Sequence, residues 1–256
     1  MVKYDDIPAI RRSDLWQINK TPLHFRHWMD SEHEKTDALR FGAAVHKYIL
    51  EPETFWDEYA KIPNINRRTK EGREIWEGFQ AMLRRTGKDY ITTEELQTAM
   101  EMAAEIGNND LAGHLLTGQH EQVFVWTDPD TGERCKVKAD TVTEYEGRPY
   151  LVDYKTTTSC EDGHFERDAR KYGYQFQAGM YSEGYFQNTF EEPGFAFVAQ
   201  EKTAPYAVRV YICSPEWVKR GYDKFRELIG IYHKCKEADD WPGYDSEGIP
   251  VELLEE

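Results

Sequence analysis

The sequence predicts an α+β fold: a central mixed sheet of about five strands flanked by helices, behind a helical N-terminal part. Three observations carry that prediction. Up to about residue 115, apolar residues recur at the three- and four-residue intervals of helices. From residue 120 the pattern switches to period two, in three runs separated by turn sequences. Helical stretches then return, interrupted by one further pair of alternating runs.

Taken in order, residues 1–35 read as short helices and turns. Ser13 is placed to cap a helix over "DLWQINK", and "KTPLHFRHWMD" follows with a proline break. "TDALRFGAAVHKYILE" (36–51) reads as a helix stopped by Pro52, with Leu39, Ala43, His46 and Leu50 on one stripe. Residues 70–86 form a second amphipathic helix. "TTEELQTAMEMAAEIG" opens with helix-start chemistry at Thr93 and Glu95 and ends at Gly107, and a shorter helix covers 109–117.

"HEQVFVWTD" (120–128) alternates as a strand, and "PDTGE" is a turn. "RCKVKADTVTEY" (134–145) is the returning strand. "EGRP" turns again into "YLVDYKTTT" (150–158), which completes a three-stranded meander. Helices are expected near 161–170 and 174–187. "GFAFVAQEK" and "YAVRVYIC" supply two more strands, and Ser214 with Pro215 opens a long final helix. The chain reads as one domain over 1–240, mainly helical over 1–115 and with its sheet core over 116–240. An acidic tail follows at 241–256.

The bulk numbers narrow the function classes. Of 256 residues, 39% are hydrophobic and 31% charged, enough for a core and typical of a soluble protein. No run approaches the ~20 apolar residues that span a bilayer, and "MVKYDDIPAIRRSD" lacks a signal-peptide core. The expectation is a cytoplasmic protein without a membrane partner. Cys135, Cys160, Cys213 and Cys235 form no CxxC pair, so neither a zinc ribbon nor an iron–sulfur cluster is signalled.

A net charge of −15 argues, by itself, against nucleic acid. The distribution argues differently. Residues 61–88 hold eight Lys/Arg against three Glu, while the tail from Lys236 holds eight acids against one base. A local basic patch can survive inside an acidic chain, and a solvated helix face is the plainer alternative for the same residues.

"YLVDYKTTTS" places Asp153 and Lys155 two apart, hence on one face of a strand. The meander brings Asp140, in "KVKAD", alongside Asp153. Two neighbouring carboxylates repel and need a cation to stay ionised together. Mg²⁺ takes oxygen ligands of this kind, and Mn²⁺ accepts the same set. Lys155 is then placed to orient an attacking water or neutralise developing charge, and the threonines to bond phosphate oxygens. A surface ion pair on an edge strand is the plainer alternative for the "DxK" element alone.

The pattern "D-x12-DYK" resembles the PD-(D/E)XK nuclease superfamily, with Ala139 where that motif has proline. "FGAAVHKYILEPETF", "INRRTKEGREIWEGF", "LLTGQHEQVFVWTDPDTGERCKVKAD", "LVDYKTT" and "YGYQFQAGMYSEGY" resemble RecE-type exonucleases (exonuclease VIII) in the same order, over roughly residues 8–212.

The resemblance implies a restriction-endonuclease-like fold and roles for particular residues. Asp140 and Asp153 are the main metal ligands, joined by the Tyr154 carbonyl, His46 and Glu121. Lys155 is the catalytic lysine. Gln177 and Tyr181 form a Q-x-x-x-Y element on one helix face, holding a DNA phosphate or terminal nucleotide. Arg67, Arg68, Lys70 and Arg73 are phosphate contacts, and Thr156 and Gln175 join them on the DNA.

The implied activity is a Mg²⁺-dependent 5′→3′ exonuclease acting on double-stranded DNA ends. Its product is a 3′ overhang for a RecT-like annealing protein. A ring-shaped homo-oligomer and a phage or prophage source belong to the same resemblance. The alternatives are another RecB-like nuclease, of the CRISPR-associated kind that carries a four-cysteine cluster, and a catalytically silent DNA-binding module.

Overall fold

The computed structural model describes residues 3–32 and 36–244. The chain enters through β1 (Ile10–Arg11) and α1 (Arg12–Leu15), which runs into a 3-10 turn at Trp16–Asn19. Ser13 therefore lies inside a helix rather than at its cap, and the cap residue is Arg11, whose side chain makes no capping bond and pairs with Asp14 and Asp5 instead. Next come α2 (Pro22–Asp30), α3 (Asp37–Leu50), α4 (Phe55–Glu58) and β2 (Tyr59–Lys61). They are followed by α5 (Lys70–Thr86), β3 (Asp89–Ile91), α6 (Thr93–Asn108) and α7 (Asp110–Leu115). The cap of α6 is Thr92, one residue earlier than its sequence suggests. Thr92 and Glu95 exchange hydrogen bonds as a full capping box.

The meander is β4 (Gln119–Thr127), β5 (Arg134–Tyr145) and β6 (Arg148–Thr157). Helices α8 (Asp162–Tyr172) and α9 (Tyr174–Thr189) then cross over to β7 (Gly194–Glu201). That crossover lets β7 pair parallel with β6, which a hairpin cannot do. β8 (Val208–Ile212) returns antiparallel, and α10 (Pro215–Ala238) closes the described fold. Most of the acidic tail, from residue 245 onward, lies outside the described residues.

The result is the expected mixed sheet with one strand more than the five read from the sequence. β1 adds parallel to β5 through Ile10↔Cys135 and Arg11↔Lys136, making six. β2 and β3 form a separate parallel pair. Strands of two or three residues are too short to show a period, so a reading of helices and turns misses them.

Helices cover both faces of the sheet. α3, α6 and α7 pack on Tyr150, Val152, Tyr154, Ala196 and Val198. α9 and α10 pack on the other face, over Trp126, Val137, Leu151, Phe195 and Phe197. Phe195 and Phe197 are each 1% exposed, and burying such a side chain contributes roughly 1.5–3 kcal/mol. α9 and α10 touch through glycines. A Cβ on Gly179 would lie 2.0 Å from the Tyr222 nitrogen, and one on Gly221 1.8 Å from the Gln175 carbonyl oxygen. This contact fixes the height of α9 over the sheet.

Candidate metal centre

β5 and β6 pair only between Thr141↔Val152 and Tyr145↔Arg148. Beyond Thr141 and Val152 they part. β6 continues along β7, while the vacated edge of β5 meets β1 at Cys135 and Lys136. Asp140 and Asp153 stand where this fork opens. In place of the next ladder bond, the Tyr154 N–H donates to Asp140 Oδ2 at 2.9 Å. A strand residue sends its N–H and C=O toward the same edge, so the Tyr154 carbonyl also leaves toward the fork.

The backbone is irregular at this point. Ala139 and Val142, three residues apart, pack in the same cluster, so the in–out alternation slips by one at Asp140–Thr141. Across from it, Glu121 holds a left-handed φ of 54°, and the β4–β5 ladder skips it between His120↔Thr141 and Gln122↔Ala139. A non-glycine residue in that region is strained, and such strain clusters at functional sites.

The consequence is a trio. His46 Nε2 lies 2.8 Å from Asp140 Oδ2, and Nδ1 lies 3.7 Å from Glu121 Oε1. One ligand atom from each of His46, Glu121 and Asp140 falls within 4.8 Å of the other two, the size of a metal site. His46 is placed by α3, which Arg40 ties to β3 and α6. Arg40 donates to the Tyr90 carbonyl at 3.0 Å and to Glu95, the α6 capping acid, at 3.1 Å. The α3 stripe read from the sequence faces differently from a core stripe. Leu39 is 64% exposed and Ala43 is exposed, while Arg40, Ala44, Val45 and Leu50 are the buried residues. Leu39, Gly42 and His46 instead wall an open cleft of about 1080 Å³, whose floor holds Glu121, Asp140 and Thr156.

Asp153 stands outside the trio, on the other side of the sheet. Strand alternation puts Val152 and Tyr154 toward α3 and α6, and hence Asp153 and Lys155 toward α9. There Gln177 donates its amide to Asp153 Oδ1, and Lys155 Nζ sits 2.6 Å from Asp153 Oδ2. The Lys155 ammonium also lies 5.0 Å from the centre of the Tyr174 ring. The two acids thus reach the fork from opposite faces.

Their electrostatics diverge accordingly. Burial and the charge of Asp140 push Asp153 up to about 6, against the pull of Lys155. Burial opposes ionisation of Asp140 too, yet His46, Lys155 and the Tyr154 amide hold its carboxyl below the ordinary value. Burial works against the His46 imidazolium, but Asp140 and Glu121 outweigh it and hold its pKa above the usual value. One carboxyl is kept charged and its neighbour is poised to hold a proton.

The remaining residues singled out by sequence fall into three places. Gln177 is 4% exposed and spends its amide on Asp153, so it positions that acid rather than reaching DNA. Tyr181 packs among core aromatics, edge-on to Phe195 at 6.4 Å, and burial with the nearby Asp153 and Asp140 raises its phenol well above the usual value. Gln175 lines a different cavity, with Trp16, Phe176 and Trp217.

Arg67, Arg68, Lys70 and Arg73 gather at the start of α5, away from the cleft lining. There Arg67 stacks over the Trp76 ring at 3.4 Å, Arg73 donates to the Arg68 carbonyl at 3.0 Å, and Lys70 lies 3.9 Å from Glu74. Lys138 is among the cleft residues that the sequence reading did not single out. It is ion-paired with Glu121. Its signal was available, since it precedes Asp140 by two positions on the same strand.

Comparisons with known proteins bear on the family and the fold. A family model described as a PDDEXK-like domain of unknown function (DUF3799) matches residues 12–251. No curated protein matches the chain. Among solved structures, one described as a "putative exonuclease" from Eubacterium rectale superposes with a TM-score of 0.64. The two share 14% identity, over 100% of this chain and 96% of that one, a likeness of fold. A second, SSO0001, aligns at a TM-score of 0.31 and 12% identity, over 83% of this chain and 84% of that one, too loosely to bear on the fold.

Proposed function

This chain belongs to the PDDEXK-like domain family DUF3799, and from that membership we propose that it is a divalent-metal-dependent deoxyribonuclease. The observation that carries the reading is the His46–Glu121–Asp140 trio at the mouth of the β5–β6 fork, with Asp153 and Lys155 behind it. One imidazole and two carboxylates within 4.8 Å of one another fit a divalent cation, and the adjoining cleft is open enough for a polymer. When bound, the cation supplies Lewis acidity toward a phosphoryl oxygen and a lowered pKa for water.

The chain's own residues supply the rest. His46, Glu121 and Asp140 hold the cation, with the Tyr154 carbonyl at the same edge. Lys155, steadied by Asp153 and Tyr174, orients the water that attacks the phosphate and stabilises charge building on its oxygens. Gln177 keeps Asp153 in place for Lys155. Thr156, on the cleft floor, donates its hydroxyl to a phosphate oxygen.

The finer reading rests on the order of sequence stretches shared with RecE-type enzymes. The substrate is linear double-stranded DNA, degraded 5′→3′ with Mg²⁺, or with Mn²⁺ in its place. The product is a 3′ overhang for a RecT-like single-strand annealing partner, and a homo-oligomeric ring gives processivity. The basic start of α5, with Arg67, Arg68, Lys70 and Arg73, steers the duplex toward the cleft.

The test uses linear duplexes labelled at the 5′ or the 3′ end, with covalently closed circles beside them. Early release of the 5′ label with circles left intact supports the full reading. Early release of the 3′ label reverses the polarity, and nicking of circles replaces the exonuclease with an endonuclease.

A further inference from the structure

Lys138 lines the cleft beside the candidate metal ligands, and the proposed reaction leaves its chemistry unused. It sits on β5 two residues before Asp140, and Lys136, Lys138 and Asp140 share one face of that strand. The three do different things. Lys136 is buried and donates to the Tyr4 and Ile7 carbonyls at 2.7 and 2.8 Å, which anchors the N-terminal segment. Asp140 binds His46. Lys138 keeps 38% of its side chain exposed in the cleft, and its ammonium pairs with Glu121 alone among the carboxylates of the described residues.

Two lysines therefore flank the fork. Lys155 follows Asp153 by two residues on the α9 side, and Lys138 precedes Asp140 by two on the α3 side. Each is paired to an acid of its own face. Without a cation, the Lys138 ammonium pairs with Glu121 and the His46 ring contacts Asp140. Glu121, Asp140 and His46 would hold a divalent cation, and Lys138 would then lose Glu121 as its partner. The nearest new anion is the phosphodiester chain in the cleft, and an ammonium is a strong donor to phosphate oxygens.

We propose that Lys138 is a second phosphate-binding lysine, released from Glu121 by metal loading and handed to the phosphate chain on the cleft side of the scissile bond. The proposal rests on the nuclease reading and deepens it. It assigns the polyanionic backbone, held between Lys138 and Lys155, as the feature of the substrate that the fork recognises.

The test compares the wild-type protein with Lys138→Met and Lys138→Arg. The probes are a short linear duplex in Ca²⁺, whose affinity is read across a salt series, and Mn²⁺ alone by titration calorimetry. Lys138→Met is expected to weaken duplex binding about tenfold and to flatten the salt slope by about one phosphate contact, with Lys138→Arg restoring both. Its Mn²⁺ affinity is expected to hold or tighten, because Glu121 is freed.

The same Met substitution in a Glu121→Gln background separates the two roles. A further loss of duplex affinity there means Lys138 acts on DNA, and no further loss means it acts only as the partner of Glu121. Unchanged duplex affinity and salt slope in Lys138→Met, or loss of Mn²⁺ affinity with duplex binding intact, overturns the proposal. Wild-type protein that binds duplex but never cleaves it with Mg²⁺ or Mn²⁺ overturns the nuclease reading instead, a result that the Lys138 variants cannot mimic.

Discussion

His46 and Asp140 meet at 2.8 Å across the gap between a helix and a strand, and the same imidazole turns its other nitrogen toward Glu121. In the proposed reading, a histidine that joins two acids from two strands makes the fork a cation site. His46→Ala is therefore expected to weaken Mn²⁺ binding by at least about tenfold, the scale seen for lost metal-site partners, while α3 stays folded. Titration calorimetry beside circular dichroism checks it. Unchanged Mn²⁺ affinity would remove His46 from the ligand set.

The same contacts set a pH dependence. His46 is held above its usual pKa, so in the metal-free protein it adds stability that is present below the ordinary imidazole value and lost as pH rises through its folded one. Asp153, raised to about 6, also favours its proton, so its contribution falls as pH climbs from the ordinary carboxyl range through about 6. Asp140 acts oppositely but well below neutrality, since its carboxyl is held down and its contribution is lost only in acid. Cation binding must displace the His46 proton and is favoured by an ionised Asp153. The rise in Tm caused by Mn²⁺ over EDTA should thus grow between about pH 5.5 and pH 8. A shift independent of pH would contradict these assignments.

Gln177 gives a positioning test. Gln177→Leu strips Asp153 of its buried amide donor and is expected to cost about 1–3 kcal/mol of stability. Gln177→Glu sets a second carboxyl beside Asp153 and pushes its proton affinity higher still. Denaturant titration and the pH profile of cleavage read the two effects. A Leu variant with wild-type stability and turnover would return Gln177 to the role of ordinary core packing.

The helix contact that carries Gln177 is equally exposed to test. Gly179→Ala drives a methyl against the α10 backbone at 2.0 Å, where backbone and not a flexible side chain must yield. The expected loss is about 3 kcal/mol, with cleavage falling further than stability because Gln177 lies two residues earlier on the same helix. Retained activity at full stability would mean that α9 shifts without disturbing Asp153.

Arg67 and Arg68 are predicted to act through long-range charge rather than at the chemistry. The Arg67/Arg68→Ala pair should lower the salt slope of duplex binding by about two and leave Mn²⁺ affinity unchanged. An unchanged slope would leave Arg67 as a partner of Trp76 only.

How much of this was legible in the sequence depends on whether a residue sits in regular structure. The meander, the crossover helices and the Asp153–Lys155 pair follow from periods of two and 3.6, and each lies where the period puts it. The failures cluster at irregularities. The slip at Asp140–Thr141 and the left-handed Glu121 put Asp140 on the His46 side and leave Asp153 on the other, which no alternation rule yields. Leu39 falls on a helical stripe with His46 and Leu50, and periodicity cannot tell a buried face from one lining a cleft. Lys138 was visible two positions from Asp140, but its importance needs the Glu121 strand beside it.

The most direct measurement is release of nucleotides from linear duplex DNA by the wild-type protein in Mg²⁺ and in EDTA, beside Asp140→Asn and Lys155→Ala. The account predicts release that requires Mg²⁺, is abolished by Asp140→Asn and falls by about 100-fold or more with Lys155→Ala, the scale of a lost charge-stabilising donor. Both variants should keep wild-type folding. Release that persists in EDTA, or that survives Asp140→Asn, would contradict a cation site at the fork.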